Sequence, residues 1–399
     1  MKTSLPDIQL FLRSGIIELA WGHPALDLLP VDGLLQATTV ALERDGALAL
    51  SYGAEQGPRR LIEQLSARLE RLEGAAPPPE QMMITGGVSQ ALDMLCTLLT
   101  RPGDVALVES PVYHLALRIL RDHGLELVPV PADDQGLQVD ALEKVLAELQ
   151  RDGRWPSLLY TVPAFNNPTG VTSNAERREN LVALAQREGF LVLEDDVYRE
   201  LWYDSPPPAS LYSLCPVGPV VRLGSFSKVL APGLRLGWML AAPEIIRRCT
   251  RSGQLDSGGG VNHFTAHVVA AFTELGLLDR QVETLREEYR RRRDVLMDGL
   301  ASHLPEGCDW VGPGGGFFVW LRLPEGVDSG ALLSVAESAG VSYVPGARFY
   351  AGGGGERYCR LAFTLLSPEE LEEGARRLAV AVREYHLEAR QRRHARRLA

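Results

Sequence analysis

Two hydroxyl groups, an amine and a guanidinium group lie close together in the stretch LGSFSKVLAPGLRLGW, residues 223–238. Ser225 and Ser227 precede Lys228, and Arg235 follows seven residues after the lysine. A lysine amine can form a Schiff base with an electrophilic carbonyl, and hydroxyls with a guanidinium can bind a phosphate dianion. One small molecule that carries both groups is pyridoxal 5′-phosphate. The alternative is an ordinary turn between a strand and a loop, with a solvated lysine.

A second stretch, TGGVSQAL at residues 85–92, places two glycines directly before a helical sequence. Glycines let backbone N–H groups approach an anion, and the helix N-terminus adds partial positive charge. Alone, the glycine pair predicts no more than a turn. Together with Ser225, Ser227 and Arg235, it predicts a phosphate-binding cup.

Two side chains that follow apolar strands suit a flat heterocyclic ring. Tyr113, in SPVYHLAL, follows the strand VALVES and can stack on such a ring. Asn167, in PAFNNPTG, follows the strand SLLYTV and can donate a hydrogen bond to a phenolate oxygen. The simpler alternatives are a packing residue at a helix start for Tyr113 and a plain Asn-Pro turn for Asn167.

Carboxylates end another apolar strand, in LVLEDDVYREL at residues 191–201. A buried carboxylate needs a cationic partner, and a protonated pyridine nitrogen is such a partner for Asp195. The protonated ring would serve as an electron sink for a carbanion at the substrate α-carbon. Tyr198, three residues later, can reach the phenolate. The alternative is an acidic N-cap pair for a following helix, which suits Asp196 better than Asp195.

Arg360 stands within an apolar strand, in ERYCRLAFT near the C-terminus. Its planar guanidinium suits a carboxylate, because the two groups can form two parallel hydrogen bonds. Two interpretations remain open from the residues alone. Arg360 either forms an internal ion pair or clamps the α-carboxylate of a substrate.

Short apolar strands alternate with helical segments between residues 82 and 225. This rhythm predicts a mainly parallel sheet that is covered by helices on both faces. In such sheets, ligands bind beyond the carboxyl ends of the strands. The polar clusters of this region follow strand ends, and their agreement carries more weight than any single motif.

The pattern changes after residue 238. The stretch SGGGVNH, residues 257–263, predicts a flexible glycine run before a helix, and residues 281–300 predict a long charged helix. Arg290–Arg293 on this helix are expected on a solvated face. Strands in GGGFFVWLRLP and YCRLAFT, with helices at 329–340 and 368–385, predict a smaller α/β lobe. The five arginines within residues 390–397 are interpreted as a frayed, solvated helix end.

Composition and charge favour an ordinary soluble enzyme-sized protein. The 399 residues suggest two domains, or one large domain with a lobe. A net charge of −10 argues against nucleic acid as the main partner. The sequence lacks the pattern of a signal peptide and any uncharged apolar run of about 18 residues, so we expect a cytoplasmic protein without a membrane partner. Five scattered cysteines without a CxxC pair suit a reducing compartment and argue against a zinc site.

The motifs together resemble a known family. NNPTG, EDDVY and SFSKVLAPGLRLGW occur in this order, and their combination is highly specific although each piece alone is not. They resemble the fold-type I pyridoxal-phosphate enzymes of the class I/II aminotransferase group. The similarity is greatest to the branch with α-aminoadipate and kynurenine aminotransferases, which includes the aminotransferase-like domains of certain bacterial transcription regulators. It extends from WGHPALDLLP, residues 21–30, to the C-terminal helices.

The resemblance implies an α/β fold with two domains. The large, pyridoxal-phosphate-binding domain would span residues 45–285, with a mainly parallel seven-stranded sheet between helices. The smaller α/β domain would combine residues 1–44 with residues 286–399. The resemblance further implies a homodimer with shared active sites, in which Tyr52 reaches the phosphate bound by the neighbouring subunit.

The resemblance also assigns roles around the cofactor ring. Lys228 would form the internal aldimine and carry the proton of the 1,3-shift. Asp195 would pair with the pyridine nitrogen, and Asn167 and Tyr198 would hold the ring oxygen. Tyr113 would stack on the ring. The expected catalytic residues are therefore Lys228, Asp195 and Tyr198.

The remaining assignments concern the phosphate and the substrate. The phosphate would be held by Val88 and Ser89, mainly through backbone, and by Ser225, Ser227 and Arg235. Arg360 matches the arginine for the substrate α-carboxylate, with Asn167 beside it. The loop of Trp21, Gly22 and His23, together with residues of the partner subunit, would line the side-chain pocket. His23 can contact a polar substrate side chain, and an exposed loop histidine is the alternative.

The implied reaction moves an amino group between an L-amino acid and a 2-oxo acid. The glycine run is unusual for its place in the family, so other α-carbanion reactions stay open: β- or γ-elimination or replacement, racemisation and cyclisation. A non-catalytic effector-sensing domain, as in the fused regulators, is disfavoured. The resemblance begins within the first ~20 residues, which leaves no room for a preceding winged helix-turn-helix. A binding module would also be expected to lose Lys228 or Asp195, and both are present.

Overall fold

The strands of the protein fall into two main groups along the chain. The computed structural model describes residues 8–398, with side chains described as far as residue 387. The strands, in chain order, are β1 (Ile17–Glu18), β2 (Met82–Thr85), β3 (Val105–Ser110), β4 (Glu126–Asp133), β5 (Gly136–Leu137), β6 (Pro156–Thr161), β7 (Leu191–Asp195), β8 (Val220–Ser225), β9 (Gly237–Leu240), β10 (Asp309–Trp310), β11 (Phe318–Arg322), β12 (Val341–Ser342), β13 (Val344–Pro345) and β14 (Tyr358–Ala362).

Helices separate most of the strands, as the alternating pattern of the sequence predicts. The α-helices are α1 (Val31–Asp45), α2 (Arg59–Glu73), α3 (Val88–Leu99), α4 (His114–Asp122), α5 (Val139–Arg151), α6 (Ala175–Glu188), α7 (Leu211–Leu214), α8 (Pro243–Thr250), α9 (Gly253–Gly258), α10 (His263–Glu274), α11 (Leu277–His303), α12 (Ser329–Ser338) and α13 (Pro368–Leu398). The predicted long charged helix corresponds to α11. The arginine-rich tail belongs to the last part of α13, where side chains lie outside the described residues.

The largest sheet has the strand order β2-β9-β8-β7-β6-β3-β4-β5. The strands β8, β7, β6, β3 and β4 run parallel, whereas β9 is antiparallel to both neighbours and β5 is antiparallel to β4. The apolar strands β3, β7 and β8 are buried along almost their whole length, as expected for a sheet between layers of helices. The predicted mainly parallel seven-stranded sheet is confirmed, and the two-residue β5 adds an eighth strand.

The carboxyl ends of the parallel strands meet at one edge of this sheet. The segments that follow them are SPVY after β3, PAFNNPTG after β6, DDVY after β7 and SFSK after β8. Parallel pairing therefore brings together four segments that are distant in sequence. This edge is where ligands bind in open α/β sheets.

A second, antiparallel sheet has the order β10-β11-β14-β13. Arg360 lies in β14, opposite Trp320 of β11 and Val344 of β13. The N-terminal β1 pairs in parallel with β12, and α11 packs against α13. The short strand near the start of the chain is therefore paired with a strand of the C-terminal third.

The glycine run before α10 packs tightly against another loop. A Cβ atom on Gly259 would collide with the carbonyl oxygen of Gly53, and one on Gly260 would collide with that of Ala54. The backbone N–H of Gly260 donates to the Ala54 carbonyl at 3.0 Å. The expectation of a flexible run is therefore wrong. Glycine serves here to let two backbones approach closely.

The arginine quartet of α11 is only partly solvated. Arg292 and Arg293 are 3 % and 8 % exposed, so the prediction of a solvated face is wrong for these two. Arg292 donates to the carbonyl of Thr364 at 2.8 Å, and Arg293 pairs with Asp204 at 2.8 Å. The side chain of Arg291, by contrast, is 61 % exposed. Because the helix turns by about 100° per residue, Arg290 and Arg291 face solvent whereas Arg292 and Arg293 turn toward the protein.

Two kinds of feature are absent from the described part of the chain. Between residues 8 and 398, no helix is both long enough and apolar enough to cross a bilayer. The same residues contain no group of three or more His, Cys, Asp or Glu side chains that could hold a metal ion. The five cysteines are all free thiols.

Candidate active site

Lys228 follows β8 and points toward the N-terminal loop. Its Nζ donates a hydrogen bond to the carbonyl oxygen of Gly22 at 3.1 Å, and it lies 5.2 Å from the centre of the Phe317 ring. Burial, together with the positive charges of Arg360 and Arg235, lowers the pKa of Lys228 to about 8. Asp195 opposes this shift. A substantial share of the amine is therefore neutral near pH 8, which is the form that attacks a carbonyl.

Asp195 is the last residue of β7 and is 5 % exposed. Its Oδ2 accepts a hydrogen bond from the hydroxyl of Tyr160 at 2.6 Å. Its Oδ1 is buried and has no partner among the described residues. Burial raises the pKa of Asp195 to about 6, against the hydrogen bond from Tyr160. An unsatisfied buried carboxylate oxygen costs free energy. The Oδ1 atom is therefore suited to accept a hydrogen bond from a ligand.

Asp196 has a different partner from the one expected. No helix starts after β7, where the chain instead forms a turn at residues 197–200. Asp196 accepts a hydrogen bond from Arg222 Nε at 2.8 Å, and Arg222 also pairs with Glu73 at 2.6 Å. The alternative of an acidic N-cap pair is therefore wrong. Asp196 belongs to a buried ion-pair network behind the sheet edge.

Asn167 and Tyr198 lie next to each other beyond the strand ends, and each is 4 % exposed. Burial raises the pKa of Tyr198, although the side-chain amide of Asn167 acts in the opposite direction. The Tyr198 hydroxyl therefore stays protonated and can donate a hydrogen bond. The Asn167 carbonyl oxygen accepts from Arg360 Nη1 at 3.0 Å, so its NH₂ group is free to point to a ligand.

Arg360 is 5 % exposed and reaches the site from the smaller sheet. Its Nη2 donates to the carbonyl of Ala20 at 2.7 Å, and its guanidinium stacks over Phe318 at 4.1 Å. Its Nε is buried and has no partner among the described residues. Burial lowers the pKa of Arg360 to about 10, so the group is charged at neutral pH. No carboxylate among the described residues is hydrogen-bonded to Arg360. This favours a role in binding a substrate carboxylate over an internal ion pair.

The candidate phosphate-binding end of the site combines the start of α3 with Arg235. Arg235 has a left-handed backbone with φ of 48°, and its Nη2 donates to the carbonyl of Gly86 at 3.3 Å. A Cβ atom on Gly87 would lie 3.1 Å from Arg235 Nη2, so glycine leaves the space that the guanidinium uses. Val88 and Ser89 form the first turn of α3, where backbone N–H groups have no helical partner.

The serines before Lys228 complete this end. Ser225 ends β8, and its Oγ accepts a hydrogen bond from the backbone N–H of Ser227 at 3.0 Å. Both hydroxyls are partly exposed toward the sheet edge. Asn262 donates from its side-chain amide to the backbone carbonyl of Arg235. Asn262 also has a left-handed backbone, with φ of 52°.

Tyr113 and Tyr52 occupy very different surroundings. Tyr113 follows β3 directly before α4 and is half-buried. Burial and the nearby Asp195 raise its pKa, and the positive charges of Arg360 and Arg235 oppose this. Tyr113 therefore belongs to the same cluster. Tyr52 is 86 % exposed and stands outside the buried site of its own chain.

The N-terminal loop closes one side of the cluster. His23 is half-buried rather than exposed, so the simpler alternative for this residue is wrong. Burial and the nearby Lys228 lower the pKa of His23 to about 4, so its ring is neutral near pH 7. The ring of Trp21 meets the ring of His23 edge-on at 5.4 Å. A Cβ atom on Gly22 would lie 2.6 Å from the Phe318 ring, so this position has room only for glycine.

The structure adds residues that the sequence did not single out. Tyr160 on β6 binds Asp195, and Phe317 and Phe318 form the apolar wall beneath Lys228 and Arg360. A signal for Tyr160 was present, because it is the one aromatic residue of the strand SLLYTV, on the neighbour of the carboxylate strand. The doublet FF in GGGFFVW gives no comparable indication of a site.

The polar groups of pyridoxal 5′-phosphate can be compared with these residues. The unpartnered Oδ1 of Asp195 fits the protonated ring nitrogen, and the amide of Asn167 with the hydroxyl of Tyr198 fits the ring oxygen. The glycine cradle before α3 and Arg235 fit a phosphate. Lys228, with its lowered pKa, fits the carbonyl carbon. The residues present therefore fit this cofactor.

Comparison with known proteins gives a consistent result. A family model described as "Aminotransferase class I and II" matches residues 14–378. The chain is 37 % identical over 377 residues to aromatic-amino-acid aminotransferase 1 of Thermococcus litoralis, which covers 94 % of this chain and 90 % of the relative. It is 34 % identical over 382 residues to 2-aminoadipate transaminase of Thermus thermophilus, with 94 % and 92 % covered.

Solved structures extend the comparison to the fold. The kynurenine aminotransferase of Pyrococcus horikoshii, in complex with PMP and KYN as substrates and KYA as products, matches with a TM-score of 0.88 at 37 % identity. The match covers 93 % of this chain and 91 % of that one. Sequence and fold therefore agree over nearly the full length of both proteins. The chain is a fold-type I transferase with pyridoxal 5′-phosphate as its cofactor, and it belongs to the class I and II aminotransferase family.

Proposed function

We propose that this chain moves an amino group between an L-amino acid and a 2-oxo acid, with Lys228 as the residue that holds the cofactor covalently and moves the substrate proton. One juxtaposition carries the proposal. Lys228, with a pKa lowered to about 8, lies near both Asp195, whose Oδ1 is unpartnered, and the buried Arg360, whose Nε is also unpartnered. These are the positions needed for an amine, a ring cation and a substrate carboxylate.

Each residue around the cofactor has a role that follows from its charge or its hydrogen-bonding groups. When bound, the protonated ring of pyridoxal 5′-phosphate withdraws electrons from the substrate α-carbon. Asp195 keeps the proton on the ring nitrogen, and Asn167 and Tyr198 donate hydrogen bonds to the ring oxygen. Lys228, once free and neutral, accepts the α-proton at Nζ and returns it on the cofactor side. Phe317, packed beneath the amine, limits the access of water.

The two ends of the ligand are fixed by separate sets of groups. Arg360 binds the α-carboxylate through its planar guanidinium, which stacks on Phe318 and is held by Ala20. The phosphate is held by backbone N–H groups of Val88 and Ser89 and by side chains after β8. Those side chains are Ser225, Ser227 and Arg235. Tyr113 covers the face of the ring.

The substrate side chain is placed against the N-terminal loop. Gly22 and His23 line this part of the site, and His23 contacts the substrate as a neutral ring because its pKa is lowered to about 4. The relatives are named for aromatic amino acids and 2-aminoadipate, and the solved relative for kynurenine. This range supports an L-amino acid donor and a 2-oxo acid acceptor as the substrate classes.

The assembly is proposed to be a homodimer with shared active sites. Tyr52, 86 % exposed, would reach the phosphate bound by the partner subunit. Large apolar side chains around it are also exposed, on α1 and the turn that follows: Val31, Leu35, Leu48 and Leu50. An exposed apolar group of this size is typical of a subunit interface.

The domain division and the cellular location are part of the same proposal. The large domain would span residues 45–285, and the small domain would combine residues 1–44 with 286–399. The eight-stranded sheet within residues 82–240 and the pairing of β1 with β12 support this division. The five free thiols support a reducing, cytoplasmic environment.

The first experiment is an absorption spectrum of the holoenzyme before and after each amino acid of a broad panel. Transamination predicts a shift of the bound cofactor to the spectrum of pyridoxamine phosphate, with one equivalent of 2-oxo acid. The variant Lys228→Ala should lose this conversion by a factor of at least about 10⁴, because it removes both the nucleophile and the base. Lys144→Ala is the matched control, since Lys144 is exposed on α5.

Two outcomes would contradict the proposal. If Lys228→Ala converts the cofactor as the parent protein does, the assigned lysine is wrong. If a long-wavelength band persists and no pyridoxamine phosphate forms with any donor, the reaction is an elimination, replacement or cyclisation instead.

A further inference from the structure

Three consecutive carboxylates at the end of β7 each have a different kind of partner. Glu194 accepts hydrogen bonds from the backbone N–H groups of Leu211 and Tyr212 at 2.8 and 3.0 Å. Asp196 pairs with the guanidinium of Arg222. Asp195, between them, accepts a hydrogen bond from a tyrosine hydroxyl and retains a free oxygen. Asp195 and Asp196 each keep one buried oxygen without a partner among the described residues, but only Asp196 is paired with a guanidinium.

Tyr160 reaches Asp195 from the neighbouring parallel strand. In the pairing of β6 with β7, Tyr160 stands opposite Leu193, two residues before Asp195. Its side chain is fully buried, and its hydroxyl lies 2.6 Å from Asp195 Oδ2. Burial and the charge of Asp195 raise the pKa of Tyr160 well above its usual value, so the hydroxyl is a permanent donor. An O–H to carboxylate bond of this length is in the strong, charge-assisted range.

This bond has two consequences for the carboxylate. It fixes the rotation of Asp195, so that Oδ1 and not Oδ2 is the free acceptor. It also withdraws basicity from the carboxylate, because a donated hydrogen bond stabilises the ionised form. A carboxylate that is less basic leaves a shared proton on its partner.

We propose that Tyr160 is a positioning residue, which turns Asp195 Oδ1 toward the cofactor nitrogen and keeps the proton on that nitrogen. The proposal rests on the cofactor-binding role of Asp195 given above. It goes beyond that role because it assigns a task to a residue that touches neither cofactor nor substrate. Several charged or titratable groups also influence Asp195 and stay constant in the test: Asp196 on its own strand, Lys228 after β8, Tyr113 after β3, and Tyr198.

The test compares two variants that each remove one buried hydroxyl. Tyr160→Phe removes the donor to Asp195. Tyr343→Phe is the matched control, because Tyr343 is also buried and donates one hydrogen bond, to the Ser329 carbonyl at 2.7 Å, within the C-terminal third. A general effect of losing a buried hydroxyl should appear in both variants, as a lower free energy of unfolding. An effect on the cofactor nitrogen should appear in Tyr160→Phe alone.

The readouts are cofactor affinity and the proton on the ring nitrogen. Apoprotein is titrated with pyridoxal 5′-phosphate, and holoenzyme with ¹⁵N-labelled cofactor is followed by NMR as pH is varied. We expect Tyr160→Phe to bind the cofactor roughly tenfold more weakly, the effect of losing one hydrogen bond to a charged group. We also expect its ring ¹⁵N shift near neutral pH to move toward the value of the unprotonated nitrogen, because the more basic carboxylate takes a larger share of the proton. Tyr343→Phe should match the parent in both readouts.

The outcomes separate this inference from the proposed function. If Tyr160→Phe keeps parent-like affinity and a parent-like ring ¹⁵N shift, the positioning role is overturned. The variant Asp195→Asn tests the proposed role of Asp195 itself, on which the role of Tyr160 depends. If it too leaves the ring ¹⁵N shift unchanged, the assignment of Asp195 itself fails, and the inference fails with it.

Discussion

Lys228 combines a buried amine with two nearby cations, Arg360 and Arg235. Both desolvation and repulsion disfavour its ammonium form, and only Asp195 favours it. The pKa of about 8 lies far below the value of about 10.4 for an unperturbed lysine. The side chain is thus prepared to act as a nucleophile and as a base near neutral pH.

The capture of cofactor by the apoprotein should therefore depend on pH with a midpoint near 8. Below this pH, the neutral fraction of Lys228 and hence the rate should rise about tenfold per unit, and above it the rate should level off. Stopped-flow absorbance between pH 6.5 and 9.5 measures the rate. A free lysine derivative is the control, since its rate should still rise at pH 9.5. A protein rate that also rises throughout would contradict the lowered pKa.

At the residue scale, the sequence predicted that the polar residues of local motifs would meet at the strand ends. Asn167, Asp195 and Lys228 lie at or just after strand ends, and the structure brings them together as parallel pairing requires. Tyr160 was missed because its task depends on which strand lies beside β7 and in which register. The buried Arg292 was missed because charge alone suggested solvent, whereas its partner Thr364 is distant in sequence.

At the element scale, the contact between the glycine run and the loop of Gly53 connects two parts of the site. The glycine run continues to Asn262, whose side-chain amide donates to the backbone carbonyl of Arg235. The loop of Gly53 directly follows Tyr52 in the chain. Close backbone packing at Gly259 therefore connects Arg235, a proposed phosphate ligand, with the exposed Tyr52.

Gly259→Ala should destabilise the protein more than Gly258→Ala. At Gly259 a Cβ atom collides with the Gly53 carbonyl, and φ is +72°. We expect a loss of about 1–3 kcal/mol in the free energy of unfolding from overpacking and backbone strain. At Gly258 a Cβ atom meets nothing within 4 Å, and alanine favours the helix there. Urea unfolding of both apoproteins gives the comparison, and equal stabilities would contradict the packing role.

Elements with strong periodicity were predicted from the sequence, and short ones were not. The buried strands were recognisable as continuous apolar runs, and the long helices by the helical spacing of their apolar residues. The strands β1, β5, β12 and β13 have only two residues each, which is too short for a periodic pattern. They are recognised as strands only by their pairing with a neighbour. The glycine run was predicted to be flexible but is closely packed. Glycine is used both in flexible segments and where two backbones approach closely, so the sequence does not distinguish the two.

At the scale of the whole molecule, the proposed shared site makes a prediction about mixed dimers. Tyr52→Ala and Lys228→Ala should each be poorly active alone. If Tyr52 serves the partner's phosphate, a mixed dimer has one intact site, formed by Lys228 of one subunit and Tyr52 of the other. Random mixing should then restore about a quarter of the parent activity.

Activity after joint refolding of the two variants, measured beside each variant refolded alone, gives the answer. No restoration in a mixture that chromatography shows to contain dimers would place Tyr52 and Lys228 in the same subunit's site, or remove Tyr52 from it. The fold class and the overall architecture were predictable because the motifs cover nearly the whole chain. The residues of the proposed interface were not predictable, because exposed apolar side chains such as Leu48 have no sequence signature.

The bond between Arg360 and the Ala20 carbonyl joins positions 340 residues apart, and Lys228 binds the Gly22 carbonyl across 206 residues. During synthesis, the N-terminal loop leaves the ribosome long before either partner exists. Lys228 emerges next, and Arg360 follows only with β14. On the proposed roles, a nascent chain that stops before this strand would carry the amine for the cofactor but lack the group for the substrate carboxylate. Substrate binding would then become possible only when synthesis is almost complete.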